Sequence, residues 1–186
     1  MPTLQKTAPT VSPTTRSASG MDACMRRIGT TMMRAAVETA GAFLMVPASQ
    51  SSAWDAPRIA VPDAMHCSQM NIGENYRLLC NLNVDRNAWN KLFSAGVPDQ
   101  IMLDAFCELA NCISGAILAD ADFRDEFGYL IPCVPCNGAS RPLGEARTER
   151  GCMLVGGAWV NFSFSMQESL AQGTVSADSA NVSAVA

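Results

Sequence analysis

The sequence predicts a single α+β domain in which two long helices accompany a largely antiparallel β-sheet. Apolar residues recur at helical spacing over residues 22–45 and again after Pro98, whereas residues 76–84 and 158–165 alternate with the period of two of a strand with one buried face. A chain of 186 residues holds one domain with a substantial core and is too short to expect two. With 48% hydrophobic and 16% charged residues it is globular. A formal net charge of −4, with Lys and Arg scattered, argues against a nucleic-acid binder.

Residues 1–20 are Thr, Ser, Pro and Ala with almost no large apolar side chain, so they bury too little to offset the entropy of ordering and are expected to be a disordered leader. Met21 follows directly and is a second candidate start. From Asp22, a suitable N-cap, residues Met25, Ile28, Met32, Ala36, Val37, Ala40, Phe43 and Leu44 define the first long helix. Pro47 ends it and a Ser-Gln-Ser-Ser loop follows. The methionines read as core filler.

Residues 58–61 and 65–72 look extended. With a turn at Gly73-Glu74-Asn75 and a return along 76–84, where Leu78, Cys80, Leu82 and Val84 share a face, they make a β-hairpin. Asp85 caps a short helix that runs to Phe93 and is closed by Gly96, and Pro98-Asp99 opens the second long helix. Beyond it, residues 127–134 read as a strand, Asn137-Gly138 as a turn or loop and 141–150 as a solvated connection. Residues 151–155 and 158–165 read as closing strands, with Gly156-Gly157 a bulge or a break between them. The domain is therefore expected over 21–168, with a small, polar, disordered tail over 169–186. No apolar segment of signal-peptide type is present and no apolar run approaches the roughly 18 residues of a membrane span, so a cytoplasmic location is expected, without membrane or nucleic acid as partner.

The second long helix carries the functional signal. Ile101, Ala105, Leu109, Cys112 and Ala116, with Met102, Phe106, Ile113 and Ile117, form a broad apolar surface to bury. Asp104, Glu108, Asn111 and Gly115 are spaced four, three and four apart, which is one polar stripe. Such a stripe is more often an ordinary solvated face. Asn in mid-helix, however, competes with the backbone for hydrogen bonds, so keeping an amide there points to a use for it.

The pattern Asp104-x-x-x-Glu108-x-x-Asn111, followed by Gly115, resembles the signature helix of the CheC, CheX and FliY family of chemotaxis phosphatases. That family also carries a Pro roughly twenty residues beyond the Asn, for which Pro132 and Pro135 are both candidates. Glu-x-x-Asn occurs once, which resembles the single-site CheX type. The resemblance implies a CheX-like fold with two long helices packed on the sheet, and a homodimer formed through that sheet. It implies hydrolysis of the aspartyl phosphate of a CheY-type response regulator, with magnesium held by the regulator and no cofactor of the chain's own. Asn111 would hold a water in line with phosphorus, because an amide both donates and accepts. Glu108 would pair with a Lys of the regulator, Asp104 would support that contact, and Gly115 would permit close approach of a backbone. A second expectation is a CheX-like domain without turnover that binds a regulator or joins a larger assembly.

Cysteine supplies a competing hypothesis. Eight Cys include the Cys133-Val-Pro-Cys136 pair and a His66-Cys67 dipeptide, which together offer four zinc ligands or a redox pair. A second C-x-x-C is missing, and adjacent His and Cys are awkward for one tetrahedral ion. Cys80, Cys107 and Cys112 fall on apolar faces and read as buried thiols. His66 is the only His, and nothing places it beside a nucleophile.

Overall fold

Alternation along residues 80–85, preceded by Leu78 and Leu79, which are both buried, makes an interior strand of the sheet. The computed structural model describes residues 18–51, 63–142 and 145–169. Residues 1–17 of the expected leader 1–20, the extended stretch 58–61 and residues 170–186 of the expected tail 169–186 lie outside them, whereas residues 18–20 begin the first helix. In chain order the elements are α1 (Ala18–Leu44), β1 (Ala48–Ser51), β2 (Ala64–Gly73), β3 (Tyr76–Asp85), α2 (Arg86–Asn90), α3 (Asp99–Ala119), α4 (Ala121–Phe127), β4 (Leu130–Pro132), β5 (Cys136–Asn137), β6 (Arg147–Val155) and β7 (Ala158–Glu168). All the strands join one antiparallel sheet in the order β1-β6-β7-β3-β2-β4, with β5 also on β2.

The α+β class and the largely antiparallel sheet are as expected. α1 and α3 pack against each other and onto one face of the sheet, α1 mainly over β6 and β1, α3 mainly over β2. Leu78, Cys80, Leu82 and Val84 of β3 face these helices, with Val160, Phe162, Phe164 and Met166 of β7 beside them. Met102, Phe106, Leu109, Ala110, Ile113 and Ile117 of α3 bury against this layer. Trp89 of α2 closes one end, donating from Nε1 to the Met102 carbonyl at 2.9 Å and packing edge-on to Phe106. Burial of this apolar area, worth about 25 cal/mol per Å², is the main stabilising term.

The hairpin forms as expected, with Met65 opposite Val84 and Ile72 opposite Arg77, and Asp85 caps α2 by accepting from the Ala88 N–H at 2.8 Å. Gly156 and Gly157, at φ +54° and +90°, make the two-residue turn joining β6 to β7. Positive φ at both positions suits a hairpin turn that only glycine adopts without strain.

Several boundaries differ from the sequence-based expectation. α1 begins at Ala18, so Asp22 lies inside the helix and does not cap it. The Ser-Gln-Ser stretch is not a loop but strand β1, which pairs Ala48 with Val155 and Ser51 with Cys152; its polarity suits an edge position. α2 ends at Asn90, short of Phe93. Helix α4 was not expected; it buries only Phe123 and Phe127, one turn apart, and is capped by Asp120. Of residues 127–134, only 130–132 form strand. Asn137 belongs to β5 rather than to a turn. Arg147 to Arg150 are the start of β6, not a connection, and they alternate half-buried and exposed because this part of the strand is only partly covered. Ile101, expected in the core, is 54% exposed.

Candidate functional site

α3 turns its polar stripe outward because its apolar residues are committed to the sheet. Asp104, Glu108 and Gly115 are exposed and Asn111 is half-buried. Asp104 accepts from Gln100 Nε2 at 2.7 Å, one turn toward the helix start. Asn111 Nδ2 lies 3.4 and 3.5 Å from the two carboxylate oxygens of Glu108, a pair of long contacts. Cys112 Sγ donates to Glu108 Oε1 at 3.7 Å. Partial burial, and then the Glu108 charge, push the Cys112 thiol above its ordinary range, so it stays protonated beside the carboxylate. The structure thus brings Glu108 and Asn111 together and leaves Asp104 bonded to Gln100.

Gly115 continues the stripe one turn beyond Asn111. A Cβ there would meet nothing within 4 Å, so the fold itself does not require a glycine at this position. Glycine in a helix interior costs about 1 kcal/mol relative to Ala. The bare backbone leaves this strip of α3 open to close approach.

The sheet beneath α3 is unexpectedly polar. Met65, Cys67, Gln69 and Asn71 share the helix-facing side of β2, and all four are buried. Gln69 Nε2 donates to Asn111 Oδ1 at 3.0 Å and to the Cys133 carbonyl at 3.0 Å. Its own Oε1 is buried and accepts no hydrogen bond, a condition that costs about 1–3 kcal/mol. Asn71 and Ser114 hydrogen-bond each other at 2.8 and 3.0 Å, Asn71 Nδ2 also donates to the Leu78 carbonyl at 3.2 Å, and Cys80 Sγ lies within 3.7 Å of both. Burial pushes the Cys80 thiol up to about 12, against the pull of its bonds to Ser114 and Asn71. Gln69 and Asn71 were missed in the sequence because polar strand residues are normally assigned outward. Their parity was the available signal, since they continue the alternation of Met65 and Cys67.

The edge of the sheet flanks Asn111. β4 pairs Asn71 with Pro132, whereas β5 pairs Ser68 with Cys136, so one extra residue is accommodated over Cys133 to Pro135. This bulge carries the carbonyl that Gln69 holds. Pro132 ends β4 and Pro135 lies in the bulge. Tyr129, Ile131 and Val134 are exposed at 81%, 73% and 82%, an apolar fringe beside the polar stripe.

Cysteine geometry separates the proposed ligands. His66 and Cys67 point to opposite sides of β2, with Cys67 buried under α3 beside Cys107 and its thiol raised by that burial. Cys133 and Cys136 are exposed free thiols. Among the described residues, no group of three or more His, Cys, Asp or Glu is arranged to hold a metal ion. One described helix, α3, is long and apolar enough to cross a membrane by length and composition; here its apolar side forms the core.

No family model matches the sequence, and no curated protein matches it. Solved structures do share the fold. CheX from Desulfovibrio desulfuricans superposes with a TM-score of 0.55 at 11% identity, over 76% of this chain and 99% of that one. CheX from Vibrio vulnificus gives 0.56 at 8% identity, over 74% and 95%. A CheX–CheY–BeF3–magnesium complex from Borrelia burgdorferi contributes a chain at 0.55 and 9% identity, over 75% and 97%. The chain has the fold of CheX and CheC-like proteins.

Proposed function

We propose that this protein is a phosphatase that hydrolyses the aspartyl phosphate of a CheY-type response regulator, in chemotaxis or a related two-component pathway. The observation that carries the proposal is the pairing of Glu108 with Asn111 on the exposed stripe of α3, with Asn111 anchored from beneath by Gln69. A neighbour of the same fold has been captured on CheY with BeF3 and magnesium, which adds support.

The chemistry needs no nucleophile from this chain. Water attacks phosphorus, the bond from phosphorus to the regulator's aspartyl oxygen breaks, and inorganic phosphate and a free carboxylate result. Asn111 enters the regulator's site and holds that water, since one amide hydrogen and one Oδ1 lone pair remain beyond its bonds to Glu108 and Gln69. Fixing the water replaces a bimolecular encounter by a positioned one. Glu108 accepts from a Lys on the regulator and so docks the helix. Gly115 admits the partner's backbone, and Asp104 supports the contact. Magnesium belongs to the regulator and neutralises developing charge on the phosphoryl oxygens. A cytoplasmic location and a homodimer formed through the sheet are part of the same proposal; light scattering tests the dimer.

The experiment is the decay of a phosphorylated CheY-type regulator from the same organism, in magnesium, with wild type, Asn111→Ala and Glu108→Ala. Wild type is expected to accelerate decay, Asn111→Ala to abolish the acceleration, and Glu108→Ala to weaken binding as well. Unchanged decay with every regulator tried refutes the phosphatase. Binding without acceleration would leave a regulator-binding adaptor, for which the exposed Tyr129, Ile131 and Val134 offer contact area.

A further inference from the structure

We infer that Gln69 is a positioning residue for this hydrolysis, acting by fixing which edge of the Asn111 amide faces the phosphoryl group. The inference rests on the phosphatase proposal above and extends it to a residue outside the signature helix. Gln69 is fully buried on the helix-facing side of β2 and spends both amide hydrogens on acceptors that belong to the site.

The order of donors and acceptors is set from one end. The Cys133 carbonyl can only accept, so Gln69 must present its NH2 to it, at 3.0 Å. The second hydrogen of that NH2 then requires an acceptor on Asn111, which puts Oδ1 toward Gln69 and Nδ2 toward solvent. The Glu108 carboxylate, acceptor-only when ionised, favours the same orientation from the other side. Asn111 thus turns a donor edge outward, where an amide hydrogen can hold the attacking water beside the negatively charged phosphoryl group. Flipped, it would present a carbonyl oxygen to phosphoryl oxygens. Gln69 also leaves its own Oε1 buried without a donor, so position rather than stability accounts for a Gln here.

Gln69→Met tests this, because Met matches Gln in length but neither donates nor leaves a buried carbonyl. The maximal dephosphorylation rate is expected to fall about tenfold or more. Regulator affinity should stay within about twofold, the separation expected when only the step after binding is touched. The melting temperature should change little, because the unpaired Oε1 is removed while the Cys133 carbonyl and Asn111 Oδ1 lose a donor, and in an Asn111→Ala background Gln69→Met should cost the hydrolysis rate nothing further. Independently of activity, the Asn111 side-chain NH2 signals in a 15N correlation spectrum should shift toward those of a free amide. Unchanged Asn111 signals, an equal rate loss in both backgrounds, or loss of folding in both Gln69→Met and Gln69→Leu would each overturn the inference. If wild type is inactive on every regulator, the phosphatase proposal fails, and the NH2 signals alone decide whether Gln69 orients Asn111.

Discussion

Removing the Ser114 hydroxyl should destabilise the protein through the residue left behind rather than through the bond lost. In Ser114→Ala, Asn71 Oδ1 loses the donor it has at 3.0 Å, and Asn71 is fully buried, so water does not replace it. The Nδ2 group retains the Leu78 carbonyl at 3.2 Å. A typical buried hydrogen bond contributes about 1 kcal/mol net, and an orphaned buried acceptor raises the total to about 2 kcal/mol. For a domain of this size that is a fall in Tm of roughly 4–8 °C. Asn71→Leu should also destabilise, while leaving Ser114 free to bond the carbonyl one turn back in its own helix. The double variant removes both partners and should cost less than the sum of the singles by about 1–2 kcal/mol. Urea denaturation of all four proteins, with m unchanged, measures the cycle. Additivity within about 0.5 kcal/mol would refute the idea that the pair acts as one satisfied unit beneath α3.

Two further predictions concern the rest of the core. Gly151→Ala would place a Cβ 2.6 Å from the Phe162 ring and 2.9 Å from Met33 Cε, so overpacking should cost about 1–3 kcal/mol in denaturation, and Phe162→Leu should recover part of it. Because burial raises the Cys80 thiol to about 12 in the folded state, its protonated form contributes stability that is full below pH 9 and lost as pH rises toward 12. Thermal melts from pH 7 to 11 should show a decline approaching about 1.4 kcal/mol per pH unit from this group, shallower in Cys80→Ala; equal slopes would contradict the assignment.

What the sequence disclosed follows from how strongly each segment is tied to one face. The hairpin and α3 were legible because every second residue of β3, and a broad stripe of α3, is apolar and buried. β1 and the first half of β6 were not, because Ala48-Ser-Gln-Ser and Arg147-Thr-Glu-Arg become strands by pairing with distant partners, not by burying a continuous apolar face. α4 escaped notice because two phenylalanines are all it buries. At the site, the pattern of Glu108 and Asn111 was visible on α3 alone. Gln69 was not, since its role arises from a contact across 42 positions of chain.

The bulge between β4 and β5 also makes this edge of the sheet a poor template for an added strand. Cys133 N–H points inward to Met70 at 2.8 Å, so its alternating neighbour Pro132 sits where a strand would direct a donor away from the sheet. Pro132 has no such donor, nor has Pro135 three residues on. The exposed margin of Ile131 and Val134 is apolar enough to recruit a strand from another molecule, yet its ladder is interrupted at those prolines and shifted by one residue between them. An incoming strand would find neither a regular row of donors nor a constant register along this edge.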